Sequence, residues 1–297
     1  MPSSRLKGMD MAKNSFALWA AITLGISPQA ALLAQENDET IVVTGQRQVE
    51  PREVRSQARA ITPRGTTQGE PLARFQRPIC VAVWGLGQES AQFIIDRIYF
   101  NAERVGVEVN AEVGCTPNVL ALFVADPESE VEELLEADHY LVRGLSFWDR
   151  KRLRQQSGKV RCWNTVVKRT ADGHSRDGDP PVFDSTNISR LNSAIRVDLD
   201  VSVVMIDNKA LADKDSLAVA DYITMRSLAR TLPPDEDDAT LRTILSLFDE
   251  GGSTTMELTA FDQAYLTEVY ASRANLPSGM ALNNLQGIIE QIEERGQ

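Results

Sequence analysis

Apolar and polar positions along this chain follow two periods, and the dominant one changes partway through. Residues 79–84 are an unbroken apolar run closed by Gly85 and Gly87, the pattern of a strand buried on both faces. Ile94, Ile98, Ala102 and Val105 recur at helical spacing and predict a helix over residues 89–105. A short strand is expected over 107–113 and a second buried strand over 118–125. Pro127 opens a helix expected to run to Tyr140, with Glu128, Glu130 and Glu132 in its first turns, where carboxylates suit the helix dipole. Ser146 and Asp149 have the spacing of a capping box and start a basic helix to Gln156. A strand is expected over 160–168.

The clearest alternation lies in residues 194–206. Ile195, Val197, Leu199, Val201 and Val203 fall on one side, and Arg196, Asp198, Asp200 and Ser202 on the other. The first half of this strand is therefore expected to have one wet face. After Asn208 the pattern is helical only. Helices are predicted over 216–230, 240–248, 259–271 and 280–293, the third with Thr259 and Asp262 as a capping pair. The fold class is α+β: a mixed sheet with packed helices over 78–208, then an all-helical C-terminal subdomain over 209–297.

Residues 35–77 lack apolar periodicity apart from one short run, and they predict a disordered tail or linker before a single domain at 78–297. Charge divides at the same place. Residues 46–77 hold seven arginines against three glutamates, whereas 78–297 carry about −14 of a total of −11. A body this acidic argues against nucleic-acid binding, which needs clustered Lys and Arg.

Residues 1–34 have the layout of a secretory signal peptide. Arg5, Lys7 and Lys13 precede an apolar stretch at 16–26 that is too short to span a bilayer. Cleavage after Ala34 would leave Gln35 at the front of a periplasmic or secreted protein with no membrane helix. The segment that follows, DETIVVTGQR, resembles the energy-coupling box of TonB-dependent outer-membrane receptors through Ile41, Val42, Val43, Thr44 and Gly45. A receptor barrel would need hundreds more residues in alternating segments. The resemblance therefore implies a receptor-like tag on a soluble protein, able to add as a strand to the sheet edge of an envelope protein or peptide.

The three cysteines suit an exported chain. Cys80 and Cys115 stand at the starts of two apolar runs, so neighbouring strands would bring them within reach of a disulfide, leaving Cys162 as a buried free thiol. Candidates for chemistry are sparse. Gly85-Leu86-Gly87 lacks the third glycine of a dinucleotide fingerprint and reads as a tight turn. The only histidines are His139 and His174. His174, with Ser175 and Asp177 beside it, is the candidate for a hydrolase; no G-x-S-x-G elbow accompanies it. Asp172, Asp177, Asp179 and Asp184 do not match a calcium loop. Asp198 and Asp200 share a strand face, an arrangement more typical of a solvated edge than of an acid and base in different environments.

One longer resemblance covers the last hundred residues. SAIRVDLDVSVVMID, then LAVADYITMRSLARTLPPD, then LTAFDQAYLTEVYASRANLPSGM are similar to secreted bacterial proteins of unknown function with a zincin-like look. In a zincin metallopeptidase the helix after the strand carries H-E-x-x-H, which binds zinc. The matching stretch here is Asp221-Tyr222-Ile223-Thr224-Met225, which keeps neither His nor Glu. The resemblance thus implies a degenerate zincin-like architecture without metal or cofactor, in which a cleft receives an extended peptide. The expectation is an exported, non-catalytic binding or accessory factor of the envelope, with a periplasmic hydrolase as the alternative. Intact-mass measurement of the exported protein is expected to give a chain beginning at Gln35; the full-length mass would mean an uncleaved anchor instead.

Overall fold

A computed structural model describes residues 50–63, 69–174, 191–234, 240–249 and 255–296. The chain divides into two units, Met1–Gln46 and Arg47–Gln297, and all described residues belong to the second. Its centre is a mixed sheet of β1 (Val81–Trp84), β2 (Val119–Val124), β3 (Val160–Thr170) and β4 (Ile195–Asp207) in the order β1-β2-β4-β3. β1, β2 and β4 are parallel, with Val81 opposite Val119 and Val119 opposite Ser202. β3 returns antiparallel along β4, Cys162 opposite Val204.

The apolar runs follow from helices on both faces. Val119, Ala121 and Phe123 of β2 enter the main core with Val204 and Ile206 of β4. Leu120, Leu122 and Val124 turn the other way, towards Trp163, Val203 and Met205. The main core is covered by α1 (Pro51–Ile61), α2 (Gln88–Arg104), α6 (Ser216–Leu228), α7 (Ala260–Ala271) and α9 (Leu285–Gly296). α3 (Pro127–Glu136), α4 (Tyr140–Arg143) and α5 (Phe147–Gln155) cover the opposite face. A single turn, α8 (Ser278–Ala281), precedes α9. No described helix is long and apolar enough to cross a membrane.

The expected α+β class and most elements hold. Ser146 caps α5 by accepting from Asp149 N, and Thr259 with Asp262 forms a capping box on α7. Cys80 and Cys115 are joined by a disulfide, with Cα atoms 6.2 Å apart. The bond closes a loop over a sequence separation of 35, which stabilises a fold by roughly 3–4 kcal/mol in the chain-entropy picture. Cys162 is a buried free thiol.

Five expectations change. Residues 50–63 and 69–77 are not linker: α1 buries Val54, Ala58 and Ile61, and Leu72, Ala73 and Phe75 are buried too. Arg74 N donates to Val197 O and Leu199 N to Arg74 O, so this segment lies beside the first half of β4. The expected wet face of the first half of β4 is reduced, since Asp198 is buried against Arg169 and Arg196 while Asp200 stays exposed. The 107–113 strand reduces to one bridge, Val109 with Ile79. α3 stops at Glu136, Asp138 takes a positive φ, and His139 caps the separate turn α4. The 240–248 helix is only a 3-10 turn, Ile244–Ser246. The C-terminal helices stay in the same domain as the sheet, as expected: α6, α7 and α9 share one hydrophobic cluster with α2 and the sheet.

Gly85 adopts φ +92°, and a Cβ there would lie 2.0 Å from Phe123 O. The turn after β1 is therefore a place where two backbones touch, for which only glycine has room. Gly85→Ala is expected to lower unfolding free energy by at least about 3 kcal/mol in urea titrations.

Candidate functional site

A cleft of about 920 Å³ draws its walls from parts of the chain far apart in sequence. The end of α1 supplies Arg59, Thr62 and Pro63; residues 69–73 supply Glu70 and Pro71; α7 supplies Tyr265 and Val269; and Pro277, Gly279 and Met280 close the far side. Val197 and Leu72 lie among its apolar lining, and Arg230 follows the end of α6.

Each wall is pinned by polar contacts. Gln57 of α1 donates to Leu241 O at 2.9 Å and accepts from Leu241 N at 2.5 Å. Leu232 N donates to Ile61 O, and Thr62 Oγ1 meets Tyr265 Oη at 2.7 Å. Burial pushes the Tyr265 hydroxyl up to about 12, so it stays protonated and available as a donor. Arg74 Nη1 donates to Val269 O, Tyr270 O and Ser272 O, which places a cation on the C-terminal carbonyls of α7. Pro71 pairs with Pro277, and Ser278 N donates to Glu70 O at 3.3 Å, closing one end.

The charge at the cleft is mostly positive. Arg59 is exposed and has no acidic group in ion-pair reach among the described residues. Arg230 pairs with Asp149 at 3.1 Å, and Glu70 is buried beside Lys168 at 3.3 Å. An apolar lining edged by guanidinium groups suits an elongated ligand with apolar surface and a negative charge.

The residues singled out from the sequence lie elsewhere. His174 is exposed, with Nε2 3.6 Å from Asp172 Oδ2. Asp177, Ser175, Asp179 and Asp184 lie outside the described residues, as do Ile41, Val42, Val43, Thr44 and Gly45. Asp198 and Asp200 do not form a carboxylate pair. Asp198 is buried between Arg169 at 3.2 Å and Arg196 at 3.0 Å, whereas Asp200 is half-exposed on Arg77. Asp200 is skipped by the β3 register, which passes from Val201 to Leu199, so a bulge separates their environments. Cys162 is packed with Sγ 3.6 Å from Arg226 O. Among the described residues no group of three or more His, Cys, Asp and Glu could hold a metal ion.

The stretch Asp221–Met225 lies inside α6, every residue of it buried. Asp221 accepts from Arg97 Nε at 2.7 Å and Nη2 at 2.8 Å, from Asn101 Nδ2 at 2.6 Å, and from Leu258 N at 2.8 Å. Hydrogen bonding to Asp221 holds the Arg97 guanidinium above its ordinary value against the opposing effect of burial. No family model, no curated protein and no solved structure matches the chain.

The sequence reading missed Arg59, Thr62, Glu70, Arg230 and Tyr265. The usable signal was the spacing of Val54, Ala58 and Ile61, which marks one helix face in a segment that is otherwise polar. Asp221→Ala is expected to cost about 3–5 kcal/mol of stability by chemical denaturation, because it strands Arg97 and Leu258 N without their acceptor.

Proposed function

We propose that this protein is an exported, non-catalytic binding factor of the cell envelope that takes an extended peptide bearing a carboxylate into the cleft between α1 and α8. The observation that carries the reading is the cleft itself: apolar lining, arginines at its edge, and no nucleophile beside a base among the residues around it. The Cys80–Cys115 disulfide supports an oxidising compartment and so favours export. Prolines on both sides of the cleft offer carbonyl acceptors without competing N–H donors, which suits the amide hydrogens of an extended chain. The degenerate zincin-like reading is compatible with Asp221, which stands in the stretch compared with a metal-binding motif and serves packing instead. The receptor-like run at Ile41–Gly45 would on this reading bring the factor to a second envelope protein.

Gly279 separates binding in the cleft from binding elsewhere. It lies on the cleft, and a Cβ there would meet nothing within 4 Å, so a large side chain can enter without disturbing the backbone. Labelled acidic decapeptides are expected to bind the wild-type protein in anisotropy titrations, and Gly279→Trp is expected to weaken them by about tenfold or more. Equal affinity in the variant, or no preference for acidic over basic peptides, would remove the proposal. Cleavage of those peptides that disappears in His174→Ala would favour the hydrolase instead.

A further inference from the structure

α7 presents two opposite faces. Tyr265 and Val269 line the cleft, whereas Gln263 and Thr267, offset from them by about half a turn, line a second hollow of about 450 Å³ shared with α2 and α9. Val105, Leu258 and Ile292 give this hollow apolar walls, and Arg104 and Arg295 stand on it from the last turns of α2 and α9.

Asn101 also lines it and is 1% exposed. The Nδ2 of Asn101 donates to Asp221 Oδ1 at 2.6 Å and Thr224 Oγ1 at 3.2 Å. The Asp221 carboxylate fixes the amide orientation, since the opposite flip would set two acceptors against each other. Oδ1 is left buried without a hydrogen-bond partner. An acceptor without a donor, on a buried side chain that lines a hollow, is a group that a ligand or water can complete.

The arginines define the rest of the ligand. Arg104 Nη2 donates to Gln263 Oε1 at 2.6 Å, and its guanidinium lies 5.3 Å from the Phe100 ring centroid, so it is held in place. Among the described residues neither Arg104 nor Arg295 has an acidic partner, although the whole chain carries a net charge of −11. Asn101 and Arg104 are three residues apart on one helix, about 5–6 Å between Cβ atoms. That separation fits an anionic head and a hydroxyl on adjacent or next-adjacent carbons of one small molecule.

We infer that this hollow is a second binding site, for a small hydroxylated anion. Its carboxylate or phosphate head sits on Arg104 and Arg295, and its hydroxyl donates to Asn101 Oδ1. A ligand ammonium would be repelled by the two guanidinium groups, so a neutral hydroxyl is the donor that fits. The site does not depend on what the cleft binds.

The test is isothermal titration of the full chain with L-malate against succinate, and with glycerol 3-phosphate against inorganic phosphate. The members of each pair differ in the hydroxyl-bearing part, and the two pairs distinguish a carboxylate from a phosphate head. At least one hydroxylated anion is expected to bind about tenfold or more tighter than its counterpart. Arg104→Gln is expected to weaken it by about tenfold, and Thr267→Trp, which fills the hollow, to abolish it. Gly279→Trp should leave it unchanged, with melting curves establishing that each variant is folded. Absence of binding by both hydroxylated anions would overturn the inference. So would equal binding of the counterparts, or loss of binding in Gly279→Trp.

Discussion

Asp221 is a carboxylate enclosed by donors from three directions, and the arrangement of the helices follows from satisfying it. α6 is buried along nearly its whole length, so a charge on it has no route to water. Arg97 and Asn101 of α2 and the backbone of Leu258 supply four hydrogen bonds, which fix α2, α6 and the approach to α7 relative to one another. A hydrophobic contact could slide by a fraction of a turn; a bidentate pair between Arg97 and Asp221 cannot without breaking. The orientation of Asn101, and hence the character of the hollow beyond it, is set by the same carboxylate.

The cleft rests on a different kind of constraint. Its walls are held mainly by side chains that bond to backbone: Gln57 to Leu241, and Arg74 to the end of α7. These bonds bring α1 and residues 69–77 onto a body whose sheet and helices lie later in the chain. α7 then serves both concavities at once, one on each face. Whatever occupies either site shares a single rigid wall with the other.

How much of this was legible in the sequence depended on where each residue finds its partner. Residues 118–125 read correctly because packing on both faces of β2 leaves an unbroken apolar run, and residues 79–84 read as a strand although Trp84 is exposed. The caps at Ser146 and Thr259 were legible because both partners lie within four residues. α1 was not, since its four charged residues obscure the Val54, Ala58 and Ile61 stripe, and its packing partners come from the other end of the chain. Residues 240–248 failed as a helix because distant groups claim their backbone: Gln57 takes Leu241 N and Asp262 takes Ile244 N at 2.8 Å. Asp198 defied the alternation rule because Arg169 and Arg196 pair with it and a bulge displaces Asp200. The cleft residues were invisible as a group, since its walls come from residues 56–73, from the ends of β4 and α6, and from residues 265–282.

The attachment of α1 also sets an order of events when the chain is made. Gln57 and Leu241 are 184 residues apart, and Thr62 and Tyr265 are 203 apart. A chain emerging from its N-terminus presents α1 long before the residues that will receive it exist. Its apolar stripe must wait, exposed on an isolated helix of 11 residues that is too short to be stable alone. Docking of α1 is therefore among the last steps of folding, and closure of such long loops makes it slow. Until that step is complete the molecule has its sheet but not its cleft, and competence to bind arrives only with the final third of the chain.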